Sequence, residues 1–287
     1  MAQSSLRLTD NAPGPLFVDE SCIDCDLCRQ IAPETFASSH GRSVVSRQPK
    51  TEPERLRAAV ALVTCPTASI GGAAKADVRA AVESLPEPLG GDVYFCGYAS
   101  EDSYGAASYL IRRPDGNVLV DSPRAAKPLM DRLEALGGVR LMFLTHRDDV
   151  ADHEAYHQRF GCERILHEAD LAHGTRGIEH RVTGLEPVAL APDLLAIPTP
   201  GHTRGSQVLL WNGRLFTGDH LWGTDEGEGL EAGRGVCWCS WEEQARSMER
   251  LLAYDFEWVL PGHGRRHRRE PAQMRRELEQ LVREMRR

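Results

Sequence analysis

The sequence predicts an α/β protein: a large strand-and-helix domain with a small cysteine-rich α+β module in front of it. Three observations predict this. Four of the eight cysteines, Cys22, Cys25, Cys28 and Cys65, fall in the first quarter of the 287 residues. From Val93 onward, short apolar runs with strand character alternate with stretches of helical periodicity. Between the two regions lies "AAVESLPEPLGGD", whose prolines and glycines mark a boundary. The expected division is a loose lead-in over 1–15, a small domain over 16–84, a linker over 85–92 and the main domain over 93–287.

Each element of the main domain has its own signal. "DVYFCGYA" reads as a strand. "ASYLIRRPDGNVLVD" reads as a hairpin turning at Pro114, Asp115 and Gly116. "AAKPLMDRLEALGG" is a helix ending at a glycine pair. "VRLMFLTH" is a buried strand that runs into a polar loop. "DHEAYHQRFG" is a short helix, and "ERILHEAD" a strand. "DLLAIPTPGH", "QVLLW" and "RLFTGDHLW" are three further strand-and-turn units. In "SWEEQARSMERLLAY", Ser240 with Glu243 three residues on predicts a capping box. "EWVLPGHG" is a strand entering a histidine loop. The last segment places Met274, Leu278, Leu281, Val282 and Met285 on one helical face.

Composition limits the function. The net charge of −8 argues against nucleic-acid or membrane-surface binding by the chain as a whole. No apolar run approaches the roughly 20 residues that span a bilayer. The start lacks the basic and apolar regions of an export signal. A cytoplasmic protein is therefore expected, with its cysteines as thiols or metal ligands.

The first module carries "SCIDCDLCRQIAP" and "TCPTASI". Soft thiolates suit iron–sulfur clusters: a compact Cys-x2-Cys-x2-Cys loop holds three corners and a distant Cys-Pro closes the fourth. A fourth nearby Cys would serve a second cluster, but Ala32 stands there before Pro33. Over roughly Leu16 to Ala80 the module resembles the single-cluster bacterial ferredoxins. That resemblance implies one 4Fe–4S cluster on Cys22, Cys25, Cys28 and Cys65. The alternative is a zinc site on the same four residues. Asp19, Glu20, Asp24 and Asp26 around the loop offer a surface to a basic redox partner protein, or form a solvated acidic loop.

Four fragments of the main domain carry chemistry. They are "LTHRDDVADH", "TPGHTRGS", "FTGDHLW" and "LPGHG", each just after a predicted strand, where side chains can be held rigidly around a cleft. In this order they resemble the metallo-β-lactamase superfamily, whose pattern is T-H-x-H-x-D-H, G-H-T-x-G-S, G-D and G-H. The resemblance covers about Val93 to His267 and implies an αββα sandwich with one or two divalent metals, zinc, iron or manganese. It implies His146, Asp152, His153, His202, Asp219 and His263 as ligands, with Asp152 and Asp219 in catalysis. Such a site acidifies a bound water into a nucleophile.

The chain departs from the pattern at the second histidine. Asp148 stands two residues after His146, and two extra residues precede Asp152-His153. Asp148 is expected to replace the histidine as a ligand; Asp149 and His157 are the alternatives. Oxygen donors tilt the site toward iron or manganese. His220 is a neighbour of the site or faces substrate. In "VCWCSW", Cys237 and Cys239 would share one face of a strand, with packing the favoured role.

Three functions fit. The favoured one is a metal-dependent hydrolase acting on a small-molecule thioester, phosphoester or related bond through metal-bound hydroxide, with an appended electron-transfer module. The second is a non-haem iron oxidoreductase fed by the cluster. It is similar to flavodiiron proteins, which also place a carboxylate at the second histidine, although this chain has a longer loop and no flavodoxin-like domain. The third is a non-catalytic electron-transfer or redox-sensing protein.

Overall fold

The computed structural model describes residues 1–225 and 227–287. In the first module, strands Phe17–Val18 and Ile70–Gly71 pair antiparallel, and Phe36–Ser39 forms a hairpin with Arg42–Val45. Helices Leu27–Ile31 and Glu52–Thr64 pack on these strands, and Lys75–Ser84 packs against the second helix. Thr51 and Glu54 cap the second helix reciprocally, satisfying two otherwise orphaned amides.

Two expectations about the connections need correction. Residues 1–15 are not a loose lead-in. Leu8 donates its amide to Val18 O, and the buried Asn11 side chain bonds the backbones of Val18 and Val45. Residues 85–92 are not a free linker either. Glu87–Gly90 is a strand paired antiparallel with Val93–Phe95, and Leu85 is fully buried. Two prolines and two glycines suggested a hinge, but an edge strand tolerates proline because one side of its backbone needs no partner.

The main domain holds two large sheets and a small two-stranded one, Trp222–Gly223 with Leu230–Glu231. The seven-stranded sheet runs, from that edge, Glu87–Gly90, Val93–Phe95, Tyr109–Ile111, Val118–Val120, Leu141–Phe143, Glu163–His167 and His180–Val182. Its first four strands are antiparallel neighbours and its last four parallel ones. The six-stranded sheet runs Val188–Ala191, Leu194–Pro198, Gln207–Trp211, Arg214–Gly218, Trp258–Pro261 and His267–Arg268.

Strand alternation builds the layers. Ala196, Leu209, Phe216 and Leu260 share a core with Phe95, Tyr109 and Phe143 of the other sheet. Their neighbours Ile197, Val208, Leu215 and Val259 face the opposite way, into a second core with helices Trp241–Leu251 and Pro271–Met285. On the far side of the first sheet, Leu129, Leu133 and Tyr156 are fully buried. The result is the expected α/β sandwich, with two sheets between helical layers.

Helix Pro271–Met285 buries all five of its expected apolar residues. Ser240 accepts a hydrogen bond from the Glu243 amide, so one half of the expected capping box forms. Cys237 and Cys239 do not lie in a strand. A 3₁₀ turn, Arg234–Val236, precedes them; the Cys237 thiol donates to Gly201 O and Cys239 is exposed. Among the described residues, no helix is long and apolar enough to cross a membrane.

Candidate metal centres

The four module cysteines converge on one cavity, lined also by Ile23, Pro66 and Ser69. The Ser69 amide points at Cys65 Sγ at 3.3 Å. Burial pushes the Cys25 thiol up to about 12 and raises Cys28 further. The buried Cys25 and Cys28 thiols are therefore neutral alone and need a metal's charge to become thiolates. The donor set and its cradle fit a cluster.

The second centre forms where strands of both sheets end. His146 follows Leu141–Phe143, His202 follows Leu194–Pro198, Asp219 follows Arg214–Gly218, and His263 follows Trp258–Pro261. Asp219 Oδ2 lies 3.7 Å from His146 Nε2, 3.8 Å from His202 Nε2 and 3.8 Å from His263 Nε2. Asp148 Oδ2 lies 3.8 Å from His146 Nε2 and 3.7 Å from His202 Nε2. The side chains of His146, Asp148 and His202 are spaced as one ion would require, as are those of His146, Asp149 and Asp219. Gly262 keeps the floor open: a Cβ there would lie 2.8 Å from Asp149 Oδ2 and 2.9 Å from Asp219 Oδ1.

Asp152 and His153 are not brought to this centre. They open helix His153–Phe160, which carries them away. Asp152 Oδ2 accepts from the Ala125 amide at 2.7 Å, and His153 Nδ1 lies 3.0 Å from Arg164 Nη1. The two extra loop residues explain the change: Asp149, at 1% exposure, holds the buried carboxylate position that the resemblance assigned to Asp152. His157 is also elsewhere, with Nδ1 on Cys162 O.

The electrostatics call for a cation. His146 Nε2, both His202 ring nitrogens, Asp149 Oδ2 and Asp219 Oδ1 are buried without a hydrogen-bond partner. Such atoms are costly unless something fills their demand. Burial, then the charges of Asp219, Asp121 and Asp148, raises Asp149 far above the usual carboxylate range. Burial lowers His146, which favours the neutral, ligating imidazole. His202, whose Nε2 lies 3.7 Å away, and then His146 and Arg147 lower Asp148 below the ordinary carboxylate range. Clustered carboxylates beside three imidazoles fit a divalent metal.

Two aspartates that the motifs did not reveal orient the ligands. Asp121 accepts from the Thr145 amide at 2.7 Å and from Thr145 Oγ1 at 3.0 Å. Thr145 Oγ1 in turn lies 3.0 Å from His146 Nδ1. This relay places the ring proton on Nδ1 and leaves Nε2 open for a metal. Asp170 accepts from Thr203 Oγ1 at 2.5 Å and from the Gly205 amide at 2.8 Å, fixing the loop that carries His202. His220 is buried with both ring nitrogens unpartnered.

The centre opens into a cleft of about 660 Å³. His202, Asp148, Asp149, Asp219 and His263 line its floor, and Tyr104, Trp222, Val236 and Trp238 one wall. Asp24, Cys25 and Asp26 of the cysteine loop line the same cleft. Tyr104, Val236 and Trp238 stay 59%, 42% and 64% exposed, apolar surface left free around a polar floor.

Comparison with known proteins bears on the first module and on the fold of the main domain. The family model described as the 4Fe-4S single cluster domain of Ferredoxin I matches residues 18–72. A hydroxyacylglutathione hydrolase of Anaeromyxobacter dehalogenans (strain 2CP-C) is 35% identical over 128 residues, 42% of this chain and 47% of that protein. The chain thus spans about half the length of this curated relative. The BLEG-1 B3 metallo-β-lactamase structure superposes with a TM-score of 0.52 at 18% identity, covering 66% of this chain and 99% of that one. The DIM-1 metallo-β-lactamase gives 0.52 at 15% identity, over 69% and 96%. The chain joins a single-cluster 4Fe–4S ferredoxin domain to a metallo-β-lactamase fold.

Proposed function

We propose that the chain is a metal-dependent hydrolase acting on a small-molecule ester or thioester. The observation that carries this is the set of unpartnered His146, His202, Asp149 and Asp219 atoms at the floor of an open cleft. The name of the curated relative, a thioester-type hydrolase by its substrate, agrees with it.

His146, Asp148, Asp149, His202, Asp219 and His263 would hold the metal or metals. A divalent ion there supplies a water acidic enough to react as hydroxide at neutral pH. The chain's own residues do the rest. Tyr104, Trp222 and Trp238 bind the apolar part of the substrate and exclude water from it. Asp148, 45% exposed at its side chain against 14% for Asp219 and 25% for His263, is the ligand of these three that solvent reaches most freely. Thr145 and Asp121 hold His146 in one tautomer through the reaction.

The test is hydrolysis of aryl thioesters by protein with measured metal content. Chelation should abolish turnover, and zinc, manganese or ferrous iron should restore it. Asp219→Asn should lower kcat/KM by at least about 100-fold, the upper range for losing a group behind metal ligands. Metal-loaded protein inactive on every ester and thioester offered would refute the reading.

A further inference from the structure

Cys25 lines two cavities at once: the pocket of the four module cysteines and the metal cleft. The segment between them makes the joint. Tyr104 and Gly105 both adopt left-handed backbone, at φ 48° and 86°. A Cβ on Gly105 would lie 2.6 Å from Cys25 Cβ, 3.0 Å from Cys25 Sγ and 3.2 Å from Pro66 Cγ. Only glycine lets this backbone touch the residues that would hold a cluster. The Tyr104 hydroxyl donates to Ile23 O at 2.6 Å, inside the cysteine loop. Its ring lies 6.2 Å from that of His263, centroid to centroid. Backbone bonds pin both ends: the Ala99 amide donates to Thr64 O, next to Cys65, and the Ala107 amide to Gly262 O, next to His263. A hydrolase needs no such contact between a redox module and its metal ligands.

We propose that a cluster on Cys22, Cys25, Cys28 and Cys65 exchanges single electrons with a redox-active metal in the cleft, across the joint of Tyr104 and Gly105. An external low-potential one-electron donor charges the cluster. The cluster then loses one electron, and a ferric ion on the cleft ligands gains it and becomes ferrous. No bond breaks and no proton leaves. The oxygen-rich donor set of Asp148, Asp149 and Asp219 accepts iron as well as zinc. The inference rests on the proposed function only in placing a metal in the cleft.

The experiment uses anaerobic full-length protein with its cluster intact, the cleft loaded with zinc in one sample and ferric iron in another. Metal content is measured on both. Photoreduced deazaflavin delivers one electron per chain, and the cluster is followed by electron paramagnetic resonance. The reduced-cluster signal should persist in the zinc sample. In the iron sample it should be lost as one ferrous ion per chain appears by Mössbauer spectroscopy. Equal persistence in both samples overturns the proposal. Tyr104→Leu should slow the loss at unchanged cluster content, and Tyr104→Phe, which keeps the ring beside His263, should restore it. A Tyr104→Leu protein as fast as the parent overturns the assigned joint. A cleft that takes up neither ion overturns the metal reading itself, whereas hydrolysis without electron exchange leaves that reading standing.

Discussion

At the scale of single residues, the relay behind His146 makes the sharpest prediction. Thr145→Val keeps the shape of the side chain and removes the oxygen shared by Asp121 and His146 Nδ1. Cleft metal affinity should fall by about 10–100-fold in chelator competition, with the far-UV spectrum unchanged. Affinity equal to the parent would mean that the hydroxyl does not orient the ring. A second prediction separates neighbours in one loop: Asp149→Asn should lose cleft metal, and Asp152→Asn should retain it. The grouping of His146, His202, Asp219 and His263 was legible because each follows a strand, and strands hold side chains at fixed places; Asp148 was proposed from its position two residues after His146. Asp152 and His153 kept the spelling of the motif, but two inserted residues moved the helix start onto them. Asp121 and Asp170 were illegible because they reach Thr145 and Thr203 across 24 and 33 residues, a pairing that only the packed sheets create.

Among the elements, the periodic ones were read well and the edges poorly. Helix Pro271–Met285 shows its buried face in its spacing, and Leu278, at 1% exposure, sits in the middle of it. Leu278→Ala should cost about 2–5 kcal/mol in denaturant unfolding, through lost burial plus an unfilled cavity. Strands His180–Val182 and Val188–Ala191 escaped sequence reading because both are edge strands. His180, Arg181, Val188 and Ala189 are exposed, so no alternation marks them. The first of these edges is tied to the sheet by charge. Glu179 accepts from the Arg164 amide at 2.8 Å and pairs with its guanidinium at 2.7 Å. Burial pushes the Glu179 carboxyl up, but these hydrogen bonds together outweigh it and bring it from 4.5 down to about 2. A depressed carboxyl stabilises the fold above its unfolded value. That contribution should fade as pH falls from about 4.5 toward 2. Glu179→Gln should flatten this part of the stability–pH curve; an unchanged slope would assign the acid sensitivity to other groups.

For the whole molecule, the two modules were legible and their adjacency was not. The bond from Tyr104 to Ile23 joins residues 81 apart, and no local pattern announces it. Apolar packing makes the same junction. Leu16, Val18, Leu27, Ile31, Val60 and Val63 of the first module share one continuous core with Phe95, Tyr98, Tyr109 and Leu110 of the sandwich. Leu85 and strand Glu87–Gly90 carry that core across the boundary without a gap. Residues that bury one another lose that burial together, at about 25 cal/mol for each Å² of apolar surface re-exposed. The modules are therefore expected to unfold as one cooperative unit. Cluster absorbance and far-UV circular dichroism of the full-length holoprotein should report the same midpoint. Cys65→Ala, which removes one of four thiols from the cluster pocket, should lower the midpoint of the sandwich as well as bleach the cluster, because metal binding is linked to folding. Two separated transitions, or a sandwich midpoint untouched by Cys65→Ala, would show that the shared core contributes little to stability. The cysteine loop would then be a wall of the cleft without being a support of it.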